Sequence, residues 1–163
     1  MSVQTQYNYQ TPKGVAGSLF DISPYSIDSR INGEDEAGKM MFGMGAVRGG
    51  NPGTNVLVPD GSDAMDFEGV VLTGFNNEQT MAGEVKVMPL QTVGILKYGK
   101  AWARIVDGDT PKYGDKLYLV VDGDDAGLFT TDDTDTVEIK GMFIGTKGTG
   151  NVAPVELFNQ AQE

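Results

Sequence analysis

From about residue 66 onward, apolar and polar positions alternate in short runs broken by glycine and aspartate, and this period of two predicts β-strands rather than helices. Residues 67–73 form a β-branched run, and in residues 84–88 Val85 and Val87 share one face. Residues 92–98 and 101–106 read as two strands joined by Gly99-Lys100, a two-residue link suited to a tight hairpin because glycine accepts positive φ. Within the second of these, Ala101, Ala103 and Ile105 face one side and Trp102, Arg104 and Val106 the other. Small residues on one side mark a face made for close contact with another sheet or another subunit. Further strands are predicted at residues 116–121, 128–129, 137–144 and 153–158, separated by the turns around Asp107-Gly-Asp109 and Asp122-Gly-Asp124. About eight short strands at regular turn spacing, with no sustained helical stripe, define an all-β fold, a small barrel or sandwich. Trp102, Leu117, Leu119, Val137, Ile139 and Phe143 are the expected buried positions.

The first third reads differently. Residues 1–55 begin with a polar run and are punctuated by Pro12, Gly14, Gly17, Pro24, Gly33 and Gly38 before the glycine-rich stretch of residues 43–50. That spacing leaves no room for an independent core. Yet Leu19, Phe20, Ile22, Tyr25 and Ile27 are too many large apolar residues for a solvated tail. The pattern predicts an extended, glycine-rich N-terminal arm over residues 1–55, docking on its own body or on neighbours, and a β-rich body over residues 56–163. The bland alternative for the arm is a loop wrapped over its own domain.

Composition narrows the chemistry. The 163 residues contain no histidine and no cysteine, which removes the usual general base, the strongest ordinary nucleophile and the soft metal ligands together. A net charge of -11 makes the surface repel nucleic acid and anionic membranes, so neither is an expected partner. No segment has the length and apolarity of a signal peptide or a membrane span, and the chain reads as a soluble product made in the cytoplasm.

Three features invite a site and each has a plainer reading. Asp122, Asp124 and Asp125 resemble a calcium loop, but Ala126 stands where an oxygen ligand is expected, and strands flank it; a solvated turn explains it, as it does Asp132, Asp133 and Asp135. Acid pairs in turns keep ordinary pKa values, so neither glycoside hydrolysis nor aspartic-protease chemistry is expected, and the prediction is a non-enzyme with no cofactor and no metal. Trp102, between Lys100 and Arg104, is either a stacking platform for a sugar or base, or an anchor in the core or a subunit interface.

Gly14-Val-Ala-Gly-Ser-Leu-Phe-Asp21, Gly94-Ile-Leu-Lys-Tyr-Gly-Lys-Ala-Trp-Ala-Arg-Ile105, Tyr113-Gly-Asp-Lys-Leu-Tyr118 and Ala153-Pro-Val-Glu-Leu-Phe-Asn159 stand in an order and spacing that resembles the phage capsid cement, or head decoration, proteins. The resemblance implies a β-rich, trimeric virion protein that binds the major capsid protein on the outer surface of an icosahedral head, at three-fold or quasi-three-fold positions, and reinforces it. On that basis Leu19, Phe20, Ile22, Tyr25 and Ile27 are the expected capsid or subunit contacts, and Ala101, Trp102 and Ala103 the trimer or core contacts. The alternatives from other classes are a carbohydrate- or receptor-binding β module using Trp102 and the aspartates, and a tail or baseplate β protein of the virion.

Overall fold

The computed structural model describes residues 14–61, 66–74, 81–83 and 85–159. It is all-β, with no helix among the described residues. Nine strands follow in chain order: β1 (Ser26–Asn32), β2 (Gly45–Arg48), β3 (Asn55–Leu57), β4 (Phe67–Leu72), β5 (Thr92–Arg104), β6 (Lys116–Val120), β7 (Phe129–Thr130), β8 (Thr136–Phe143) and β9 (Val152–Leu157). They hydrogen-bond in the order β1-β3-β2-β4-β5-β9-β8-β6-β7, and β1 pairs a second time with β5. That second pairing closes β1, β3, β2, β4 and β5 into a five-stranded barrel.

β5 is the spine of the molecule. Its first half pairs with β1 and β4, whereas its second half pairs with β9 from Gly99↔Leu157 to Arg104↔Val152. Just beyond its end, a parallel bridge between Ile105 and Phe129 brings β7 back beside it. The second set of strands therefore curls into a near-closed roll that shares β5 with the barrel.

The hairpin expected at Gly99-Lys100 is absent: residues 92–104 are one continuous strand of 13 residues. Gly99 does take positive φ, at 123°, but it uses that freedom to bend the strand from one sheet into the other. A Cβ there would sit 2.8 Å from Cβ of Tyr25, so the bend also needs glycine for space. Of the strand predicted at residues 84–88, only Val85 makes a bridge among the described residues. The remaining predicted strands stand within a residue or two of their expected bounds. The boundary drawn at residue 55 runs through the barrel, since β1 and β2 precede it and β4 and β5 follow.

Two apolar clusters hold the rolls together. Val56, Val71, Val93, Ile95 and their neighbours belong to the barrel strands, while Leu117, Leu119, Phe129, Phe143, Val155 and Leu157 centre the second cluster. Of the expected buried positions, Leu117, Leu119, Ile139 and Phe143 are buried, whereas Trp102 and Val137 are half-buried. The inner face of β1 is not apolar. Asp28 and Arg30 form an ion pair at 2.9 Å, and the buried carboxylate of Glu68 is approached by Lys97 at 3.2 Å, Arg48 at 3.3 Å and Arg30 at 3.7 Å. Three cations around one buried anion offset its desolvation. Glu34, also buried, accepts the Val58 N–H at 2.8 Å and pairs with Lys39 at 2.6 Å, tying the β1–β2 connection to β3.

Candidate functional site

The segment before β1 is fixed by backbone bonding to β5. The Gly17 N–H donates to the Trp102 carbonyl at 2.7 Å, the Trp102 N–H to Ser18 at 2.9 Å, and the Phe20 N–H to Lys100 at 3.0 Å. Leu19 bridges Ala101 and packs against the core. Gly14 lies directly on the Trp102 indole, where any side chain would collide with the ring. The Phe20 ring sits 5.7 Å from that of Trp102, tilted by 40°. With Gly14 and Phe20 against it, the indole is not a free stacking platform.

Beyond Phe20 the chain turns outward. Asp21 organises that turn: it accepts the Ser23 N–H at 2.9 Å and faces Lys100 at 3.6 Å, and the hydrogen bonds from Ser23 hold its carboxyl below the ordinary range. Ile22, next along, is 99% exposed. Tyr25 lies over the Gly99 bend, and Ile27 on β1 pairs with Leu96 on β5. Tyr98 and Phe158 flank the Gly99–Leu157 pair. Exposed apolar side chains from three stretches of chain thus gather around one bend, namely Phe20, Ile22, Tyr25, Ile27, Tyr98 and Phe158. Such a patch marks a place for a partner.

The structure separates the residues that the sequence grouped. Of the five arm positions, Phe20, Ile22, Tyr25 and Ile27 are exposed, while Leu19 is half-buried against the core. Ala101 and Ala103 are both fully buried in the chain's own core, and the half-buried Trp102 lies on the opposite face of β5. The small-residue face is therefore spent on internal packing. Tyr98 and Phe158 were missed, and their only signal is a position next to the glycine or strand end that makes the bend.

The aspartate turns lie past the far end of β5. Asp122, Asp125, Asp132 and Asp135 line an open hollow of about 600 Å³. Among the described residues no three carboxylates converge as metal ligands. Asp132 is held below its ordinary pKa by the N–H and hydroxyl of Thr134. Asp109 fastens the fold instead. Its carboxylate accepts the Thr131 N–H at 2.7 Å and the Thr131 hydroxyl at 2.8 Å, clasping the turn after β5 to the end of β7. Burial pushes that carboxyl up, but the bonds from Thr131, Thr130 and Thr110 outweigh it and the pKa falls. A depressed carboxyl pKa stabilises the fold above its unfolded value and loses that contribution as pH falls through the folded value. Asp109→Ala is therefore expected to cost about 1–3 kcal/mol at pH 7. The difference from the parent should narrow as pH falls through the depressed folded-state pKa of Asp109, as read by urea denaturation at pH 7 and in acid. An equal loss at both would show that the carboxylate is not the origin.

A closed β-body with an exposed apolar surface at one bend is the architecture on which the comparisons bear. The family model described as "Structural cement protein (E217 gp24/Pam3 gp6)" matches residues 3–158, and the chain belongs to this family of phage structural proteins. No curated protein matches the sequence. Among solved structures, a chain from "The capsid of Myoviridae Phage XM1" shares the fold with a TM-score of 0.67 at 18% identity, over 98% of this chain and 99% of that one. No helix among the described residues is long and apolar enough to cross a membrane.

Proposed function

We propose that this protein is a non-enzymatic cement of the phage head, binding the major capsid protein on the outer surface of the shell and bridging neighbouring capsomers. It acts as a homotrimer at three-fold or quasi-three-fold positions, after synthesis in the host cytoplasm. The observation that carries the reading is the apolar surface around Gly99, presented by a chain of the cement family. A packed head presses outward on its shell, so a bridging protein must resist separation of its neighbours. Each large apolar side chain buried at such a contact contributes roughly 1.5–3 kcal/mol. Three copies on one symmetric body multiply modest single contacts through effective concentration. The acidic surface suits the outside of the head, where affinity for packaged DNA has no use.

The segment of residues 14–25 is the arm in this reading, held to β5 by its backbone while Ile22 and Tyr25 stay available. The test is a reconstruction of heads with and without the protein, paired with the temperature at which DNA is released. Added density on the outer surface, and release at lower temperature in its absence, are expected. Density confined to the tail or baseplate would overturn the assignment.

A further inference from the structure

One turn holds a bulky residue in a conformation that suits glycine. Met88-Pro89-Leu90-Gln91 closes with the Gln91 N–H donating to the Met88 carbonyl at 3.2 Å, and Leu90, the third residue, takes a φ of 62°. Proline second and positive φ third is the pattern of a type II turn, whose third residue is ordinarily glycine or asparagine. A leucine there is strained, and at 79% exposure its side chain gains little packing from its own chain in return. The turn is held in place by the buried Asn32. Asn32 Nδ2 donates to the Met88 carbonyl at 3.0 Å, the Leu90 N–H to the Asn32 carbonyl at 3.0 Å and the Asn32 N–H to the Gln91 carbonyl at 2.9 Å, while Gln91 Oε1 accepts the Met88 N–H at 2.8 Å. Leu90 is thus a fixed apolar knob, ordered before any partner arrives.

The same chain carries a hollow that such a knob fits. It holds about 290 Å³ and is lined by Met41, Phe42, Val85, Lys86, Val87 and Arg104. Arg104 Nε donates to the Phe42 carbonyl at 2.7 Å, and the Gly38 N–H to the Val87 carbonyl at 3.0 Å, so backbone groups brace the walls. Met41 and Val85 are exposed, which leaves apolar surface at the hollow open to a visitor.

Leu90 does not fill the hollow of its own chain. Its turn is pinned to Asn32, and its side chain stands in solvent although Val87, three residues earlier, lines the hollow. Charge favours another copy as the owner of the hollow that receives it. Lys86 and Arg104 line the hollow, whereas the exposed Asp35 and Glu36 follow within four residues of the Asn32 clamp, so the surroundings of hollow and knob are opposite in sign.

We propose that Leu90 of one copy enters the hollow between Met41, Phe42 and Val85 of a second copy. Repeated around a three-fold axis, each knob fills the next hollow, which specifies the homotrimer proposed above and rests on that reading. Two substitutions that relieve the turn make the test. Leu90→Asn and Leu90→Gly should keep the fold, with a urea midpoint in dilute protein no lower than the parent's, yet weaken self-association by roughly tenfold or more in analytical ultracentrifugation. A lowered midpoint would show that Leu90 packs on its own chain, and undiminished association would show that no copy receives it; either result overturns the proposal. Because the chain has no cysteine, single-cysteine variants report the neighbour directly. Leu90→Cys mixed with Met41→Cys or Val85→Cys and oxidised should give a mixed disulfide between chains, and Leu90→Cys mixed with Tyr113→Cys should not. No mixed disulfide in the first two mixtures, or equal yield in all three, sinks the contact. Head binding is measured on the same variants. Decoration at parental affinity by protein that forms no mixed disulfide leaves the capsid reading standing without this contact, while cross-linking in protein that ignores heads does the reverse. Loss of head binding by Leu90→Asn with association unchanged would give the knob to the shell instead.

Discussion

Replacing Ile22, Tyr25 and Phe158 together by serine is expected to lower head binding by about 100-fold or more while leaving the β-body folded. All three side chains reach solvent around the Gly99 bend, so their loss removes little internal packing. At a contact, each would withdraw apolar surface worth about 1.5–3 kcal/mol, and a tenfold change in affinity takes only about 1.4 kcal/mol. Part of that gain is spent on ordering the turn at residues 21–25, which is why the expected loss is smaller than the simple sum. Decoration of heads lacking the protein, titrated by sedimentation, gives the affinity; thermal denaturation gives the fold. Leu19→Ser is the contrasting change, because Leu19 packs against the core and should lower stability before it lowers affinity. Undiminished decoration by the triple variant would place the attachment surface elsewhere on the body.

Strands β4, β6, β8 and β9 were legible in the sequence because their inner faces are apolar and their ends carry turn residues. β1 was not. Its inward positions are Asp28 and Arg30, whose burial becomes tolerable only beside Glu68 and Lys97 from two other strands, and that arrangement has no local signature. The bend at Gly99 failed for a related reason. Positive φ at glycine suits a hairpin and a bent strand equally, and the choice falls to pairing with β9 on one edge and residues 17–20 on the other. The exposed apolar patch was half legible: Phe20, Ile22, Tyr25 and Ile27 announce themselves as apolar residues in a segment without a core, but Leu19 among them turns inward. Ala101 and Ala103 show that small residues signal close approach without saying whether the neighbour is the same chain or another. Family membership was legible in the order of four stretches, beginning at Gly14, Gly94, Tyr113 and Ala153, all within residues 3–158 or a residue beyond.

Phe129→Ala should be the most destabilising single truncation in the second roll, at about 3–5 kcal/mol. Its ring is fully buried, and it meets Phe67 edge-to-face at 6.2 Å and 88°, so the change leaves a cavity between the roll and the barrel. Its backbone also matters: the Phe129 carbonyl accepts the Val106 N–H at 3.0 Å, part of the bridge that returns β7 to β5. Backbone bonds survive the substitution, so the loss reports packing alone. Against the 5–15 kcal/mol that a domain typically has, a deficit of this size leaves a substantial unfolded fraction on modest heating. Urea denaturation at one fixed protein concentration should show a lower midpoint with an unchanged slope, since self-association would otherwise shift the apparent stability. Head binding should return on cooling, because Phe129 lies inside the core and not on the surface around Gly99. A loss under about 1 kcal/mol would mean that the roll does not depend on this ring for closure. Decoration that stays absent at low temperature, with the fold restored, would instead link Phe129 to the contact itself.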